Sequence, residues 1–200
     1  MDLKIKLFNY KGIPINLNIL FLLLLFFLSV PYFVAIFISI LLHEIGHAYM
    51  AVRYGYKVDN IEIGLFFGQA NMDIDSIREG HLINIAIAGP CVNFILMIIS
   101  FILQISFPCM FFNAMCITNF LLFITNIIPI FPLDGGRILR SILILKTDDK
   151  EKSTKISAWV SFVFSSLLIF YYISIFSIIG IIFSILFLLY SMRELGYWKS

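Results

Sequence analysis

The sequence predicts an all-α polytopic membrane protein with six transmembrane helices. A small β-hairpin is expected at the cytoplasmic face between the second and third spans. Three observations lead there. First, 61% of the 200 residues are hydrophobic and 13% are charged, whereas soluble domains carry about 25% charged residues. Second, the apolar runs approach or exceed the ~20 residues that a spanning helix needs. Third, every Lys and Arg falls on one side when the loops are numbered alternately.

The spans are expected at 15–30, 32–52, 82–106, 109–128, 156–174 and 176–192. Val30-Pro31 and Phe107-Pro108 supply two of the breaks, because proline cannot continue a helix. The polar stretch 53–80 and the basic stretch 137–155 supply two more. The break near Ser174–Ser177 is weaker, and one long kinked helix there would reduce the count to five.

Charge favours six spans. Lys4, Lys6 and Lys11 precede the first span, and Arg53, Lys57 and Arg78 follow the second. Arg137, Arg140, Lys146, Lys150, Lys152 and Lys155 follow the fourth, and Arg193 and Lys199 follow the sixth. The positive-inside rule makes that side cytoplasmic, with both termini inside. Ten of the twelve acidic residues lie in the same segments; Glu44 and Asp134 stand in apolar surroundings. The net charge of +2 therefore gives no indication of nucleic acid. The basic residues are accounted for by topology and by anionic headgroups.

The first apolar stretch has no small-x-small cleavage site, so a cleaved signal peptide is not expected. Cys91, Cys109 and Cys116 form no C-x-x-C pair and read as small apolar packing residues. The chain is expected to form one integral-membrane domain over 1–200, without a PDZ or CBS domain.

Within the apolar run from Leu17 to Val52 the only charged residue is Glu44, in His43-Glu44-Ile45-Gly46-His47. Histidines four apart lie about 40° apart around a helix. Both can hold one Zn²⁺, while Glu44 can take the proton of an attacking water. An ionisable cluster at membrane depth is costly and is a functional-site hypothesis by default. A chance match on a packing helix is the alternative, but two of three histidines and one of two embedded carboxylates fall in the motif.

A catalytic zinc usually takes three protein ligands. His81, at the start of the third span, and Asp134 are the candidates for the third. Asp134 ends the segment Asn126-Ile-Ile-Pro-Ile-Phe-Pro-Leu-Asp134-Gly-Gly-Arg137, in which Pro129, Pro132, Gly135 and Gly136 break the helix at depth. Such backbone is tolerated in a membrane only inside protein or along a polar cavity. The alternative is an exit loop with Asp134 as a helix N-cap and Gly-Gly as a turn. The second and fourth spans run in the same direction and place both groups in the cytoplasmic half, so they can meet.

In Ala88-Gly89-Pro90-Cys91-Val92-Asn93, Gly89 allows close helix approach and Asn93 offers an amide that needs partners in lipid. A packing notch supporting a metal site and a plain Pro-kinked helix are both open. Apolar residues alternate at 61, 63, 65 and 67, the period of a strand, and Asn71-Met72-Asp73 could begin its return. Such a hairpin exposes an edge suited to holding a substrate extended.

HEIGH at 43–47, AGPCVN at 88–93 and NIIPIFPLDGGRIL at 126–139 resemble, in order, the three signature elements of the site-2 protease family of intramembrane metalloproteases. The resemblance implies a zinc held by His43, His47 and Asp134, with Glu44 as general base. Asn126 or Asn93 would then donate to the developing oxyanion. It also implies membrane-associated protein substrates, and membrane-protein regulators are expected alongside them. The six-span layout is similar to the stage IV sporulation protein FB branch, which suggests a bacterial cell membrane and a sigma-factor precursor as substrate. Two other classes are carried beside it: a metal-binding transporter, which should show ligands along other spans, and an inactive member serving as a scaffold.

Overall fold

The computed structural model describes residues 4–64 and 68–196. The expected strand positions Leu65 and Phe67, and the basic residue Lys199, lie outside the described residues. The chain divides into two compact units, Met1–Ile77 with Ile87–Ile124, and Arg78–Ala86 with Thr125–Ser200.

The first unit begins with a correction. Residues 15–30 do not form a spanning helix. Strands β1 (Lys4–Tyr10) and β2 (Ile13–Asn18) pair antiparallel, and a 3₁₀ helix follows over Ile19–Phe26. The burial of Ile13, Ile15 and Leu17 alternates with half-buried neighbours, so the local period is two. Hydropathy over a long window hides that alternation. β2 then pairs parallel with β3 (Val58–Ile63), Ile15 opposite Ile61, and β3 pairs antiparallel with β4 (Gly68–Met72). The expected hairpin is therefore half of a four-stranded sheet ordered β1-β2-β3-β4. Its return strand starts at Gly68 rather than Asn71.

Helix α1 (Val30–Arg53) starts with Pro31, which suits a first helical turn, and ends before Gly55 at φ +84°, a conformation favouring glycine. Ala35, Ser39, His43, His47 and Ala51 recur every four residues and form its buried stripe. The 3₁₀ segment returns along this helix: Phe21, fully buried, lies 5.4 Å from the Phe33 ring and 6.0 Å from Phe37. The sheet ties the strands bearing Lys4 and Lys6 to the strand that follows Arg53 and Lys57.

Helices α2 (Glu79–Ser106) and α3 (Met110–Ile127) match the third and fourth expected spans. α2 continues through Pro90. In the second unit α4 (Asp134–Thr147) is a helix where a basic loop was expected. α5 (Lys150–Ser174) and α6 (Ile178–Glu194) are separate helices joined at Phe176, which has φ +54°. They pack through small residues: a Cβ on Gly180 would overlap the Tyr172 ring. Ser153, Ser157, Ser161 and Ser165 line one face of α5, all fully buried.

Among the described residues four helices, α1, α2, α3 and α5, are long and apolar enough to cross a membrane. Their surfaces expose large apolar side chains such as Phe101, Ile105, Leu167 and Phe170, a surface that suits lipid rather than water. Cys91 and Cys109 are exposed and Cys116 half-buried, and all three are free thiols; burial as packing residues is not what the fold gives Cys91 or Cys109.

Candidate metal centre

The two imidazoles of α1 face each other. His43 Nε2 and His47 Nε2 are 3.0 Å apart, with the rings edge-on at 4.6 Å between centroids. Two nitrogens sharing a tetrahedral zinc at ~2.05 Å would stand about 3.3 Å apart. Both rings are buried.

Space for them comes from α2. A Cβ on Gly89 would overlap Nε2 of His47 and crowd Cε1 of His43. Across the same contact, a Cβ on Gly46 would lie 3.1 Å from the Ala88 carbonyl oxygen. The AGP segment is therefore a close-approach notch against HEIGH. One turn further along, Asn93 meets His43: Oδ1 lies 2.5 Å from Nδ1. The segment thus combines a close approach at Gly89 with a hydrogen bond between Asn93 and His43.

Glu44 is buried on the same helix, and the first residue of β4 lies against it; a Cβ on Gly68 would overlap the carboxyl group. Nothing in the local sequence around Gly68 marked it as a neighbour of Glu44, because the contact joins a strand to a helix far back in the chain.

In the second unit, Leu133 is the N-cap of α4 and makes no side-chain cap bond. Asp134 is thus the first helical residue, which removes the N-cap alternative. A carboxylate there is favoured by the helix dipole. Gly135 and Gly136 are not a turn. They admit the preceding strip, whose Ile127 and Ile128 carbonyl oxygens and Ile130–Phe131 backbone stand where their Cβ atoms would be. The strip itself is held from α5, where Ser161 Oγ accepts the Phe131 N–H at 2.9 Å. Asn126 lies in the last turn of α3, half-buried, leading into the strip.

His43, His47 and Asp134 form a group able to hold a metal ion: one ligand atom from each lies within 4.8 Å of the others, and all three residues are buried. His81, half-buried in the first turns of α2, is not in that group. Two imidazoles and a carboxylate are a catalytic zinc ligand set, and the missing Cβ at Gly89 leaves the two rings the room they occupy. The residues fit zinc.

Sequence reasoning missed Ser39 and Asn119. Asn119 is fully buried on α3, donating to Ser39 Oγ and accepting from Asn93 Nδ2, each at 2.8 Å. Its signal was present as an isolated amide in an apolar span, and Ser39 stands four residues before His43.

A helical membrane domain with two histidines and an aspartate buried together defines a membrane-embedded metalloprotein. More narrowly, the chain belongs to peptidase family M50, whose model matches residues 31–109 and 105–170. It is similar to a zinc metalloprotease of Methanocaldococcus jannaschii, 41% identical over 176 residues, covering 79% of this chain and 50% of that protein. The chain thus spans half the length of that relative. Its fold is similar to the site-2 protease from the same organism, with a TM-score of 0.76 and 33% identity over 98% of this chain and 97% of that one.

Proposed function

We propose that this chain is a zinc metalloendopeptidase of the site-2 protease type, hydrolysing a peptide bond within or near the membrane segment of a membrane-associated protein. The observation that carries the reading is the buried group of His43, His47 and Asp134 with Glu44 adjoining the first ligand.

His43, His47 and Asp134 hold the zinc, which when bound supplies Lewis acidity toward water and the scissile carbonyl. Glu44 accepts the proton of the attacking water and delivers it to the leaving amine. Burial keeps both proton transfers in a low-dielectric site, where fixed charges act strongly. Asn126, beside the strip that ends at Asp134, is one candidate donor to the developing oxyanion, and Asn93 is the other. β4 is an edge of the sheet and touches Glu44 through Gly68, so a substrate added to that edge as a strand would run past the general base.

The chain works as one membrane domain, multi-pass in a bacterial cell membrane with both termini cytoplasmic. A sigma-factor precursor, the substrate class of the stage IV sporulation protein FB branch, is the substrate to try first. The transporter alternative would need ligands on other spans, and among the described residues the metal-binding group is confined to these three.

The experiment is Glu44→Gln in detergent-purified protein. Zinc should stay near one per chain while cleavage of a reconstituted membrane substrate falls by roughly 10²–10⁴-fold. Unchanged cleavage would remove Glu44 as the base, and a parent without zinc would move the reading to a scaffold.

A further inference from the structure

Three polar side chains buried in the first unit take no part in the chemistry above: Ser39 on α1, Asn93 on α2 and Asn119 on α3. They form one hydrogen-bonded line that ends on His43, and the line has a direction.

That direction is set by a group that cannot be reversed. The Met115 backbone carbonyl can only accept, and an amide nitrogen of Asn119 lies 2.8 Å from it. The Asn119 Nδ2 therefore faces Met115. Its second hydrogen goes to Ser39 Oγ at 2.8 Å, and the Ser39 hydroxyl hydrogen turns to the Met115 sulfur at 3.7 Å. Asn119 Oδ1 is left facing Asn93, so Asn93 must present Nδ2 to it, at 2.8 Å. Asn93 Oδ1 is then turned to His43 Nδ1. An amide oxygen has no proton to give. His43 must donate from Nδ1, and in a neutral imidazole that leaves the lone pair on Nε2, the atom facing His47.

We propose that Asn119 is a positioning residue: through Asn93 it holds His43 in the Nδ1–H tautomer and in the ring orientation that presents Nε2 to a metal. This rests on His43 being a ligand. Metal-bound histidines gain basicity and a fixed orientation when the far ring nitrogen donates to an anchored acceptor. Asn93 is that acceptor, and Asn119 decides which of its two ends is offered. Interhelical amides in membranes also act as simple glue between helices. Glue would not discriminate between the two ends of Asn93, whereas the tautomer of His43 depends on it.

The test uses the full chain in detergent, labelled with ¹⁵N-histidine. Ring nitrogen shifts are read on zinc-free protein, and zinc affinity is read by chelator competition. Asn119→Leu keeps the volume, and Asn119→Ala is the second variant should leucine impair folding. In the parent, His43 should show the Nδ1–H tautomer. In either variant the Nε2–H form should appear, and zinc binding should weaken roughly tenfold or more, up to about a hundredfold, the range for supporting partners. Added to Asn93→Leu, the Asn119 substitution should cost nothing further, because it acts through Asn93. A folded variant with the parent's tautomer and affinity overturns the proposal, as does full additivity in the double variant. A parent that binds no zinc sinks the ligand reading instead, and the zinc-free spectra then decide the relay separately.

Discussion

Gly89 of α2 and His47 of α1 approach so closely that a Cβ on the glycine would overlap the imidazole Nε2. The ring that is to bind a metal thus rests on bare backbone. Gly89→Ala should displace His47 and reduce zinc affinity by at least about tenfold, the lower end for disturbed ligand orientation. Gly80→Ala is the control on the same helix, since a Cβ there meets nothing within 4 Å. Zinc titration of both variants checks the prediction; equal affinities would mean the notch yields without cost.

The same reasoning separates Gly68 from the metal. A Cβ at Gly68 meets the carboxyl of Glu44, not a ligand. Gly68→Ala should leave zinc content near the parent's and lower the turnover number, because the general base is pushed out of line. Steady-state cleavage with parallel zinc analysis tests this, and loss of zinc in the variant would contradict it.

Substrate docking on β4 can be tested with proline. N–H groups of neighbouring residues in a strand point to opposite sides, so one of Gln69 and Ala70 faces β3 and the other faces outward. Gln69→Pro and Ala70→Pro should therefore behave differently. One should destabilise the sheet. The other, which removes only an outward donor, should leave the fold and the zinc intact while raising KM. Two folded variants with unaltered KM would rule out strand addition at this edge.

The strip before Asp134 depends on α5. Ser161 accepts the Phe131 N–H and is hydrogen-bonded to Ser191 Oγ, whose hydroxyl reaches the Phe187 carbonyl. Ser161→Ala leaves the Phe131 N–H buried without its acceptor, at a cost of about 1–3 kcal/mol. Ser166→Ala removes only a hydroxyl bonded back to the Phe162 carbonyl of its own helix, and should cost much less. Thermal unfolding of the two variants, with hydrogen exchange at the Phe131 amide, gives the comparison.

Much of this molecule was legible without coordinates wherever the signal is local. His43, Glu44 and His47 share a face because four residues make roughly one helical turn. Pro129 and Pro132 unwind the strip because each lacks an N–H. The break between α5 and α6 was visible at Ser174–Ser177. Hydropathy alone cannot separate a buried strand from a spanning helix, which is why residues 15–30 read as a span while β2 and a 3₁₀ helix occupy them. Ile15 becomes strand by pairing with Ile61, far along the chain.

The sequence by itself determined the membrane class, the one-turn spacing of His43 and His47, and the breaks at Pro31, Pro108 and Ser174–Ser177, since each follows from residue type and short-range spacing. Only the tertiary structure decided that Gly89 gives the imidazoles room, that Gly68 lies on Glu44, and that Asp134 opens α4 instead of capping it. It also decided the direction of the line from Met115 through Asn119 and Asn93 to His43. Those facts depend on which atoms of distant segments come within hydrogen-bonding or van der Waals reach, and only the packing of whole helices settles that.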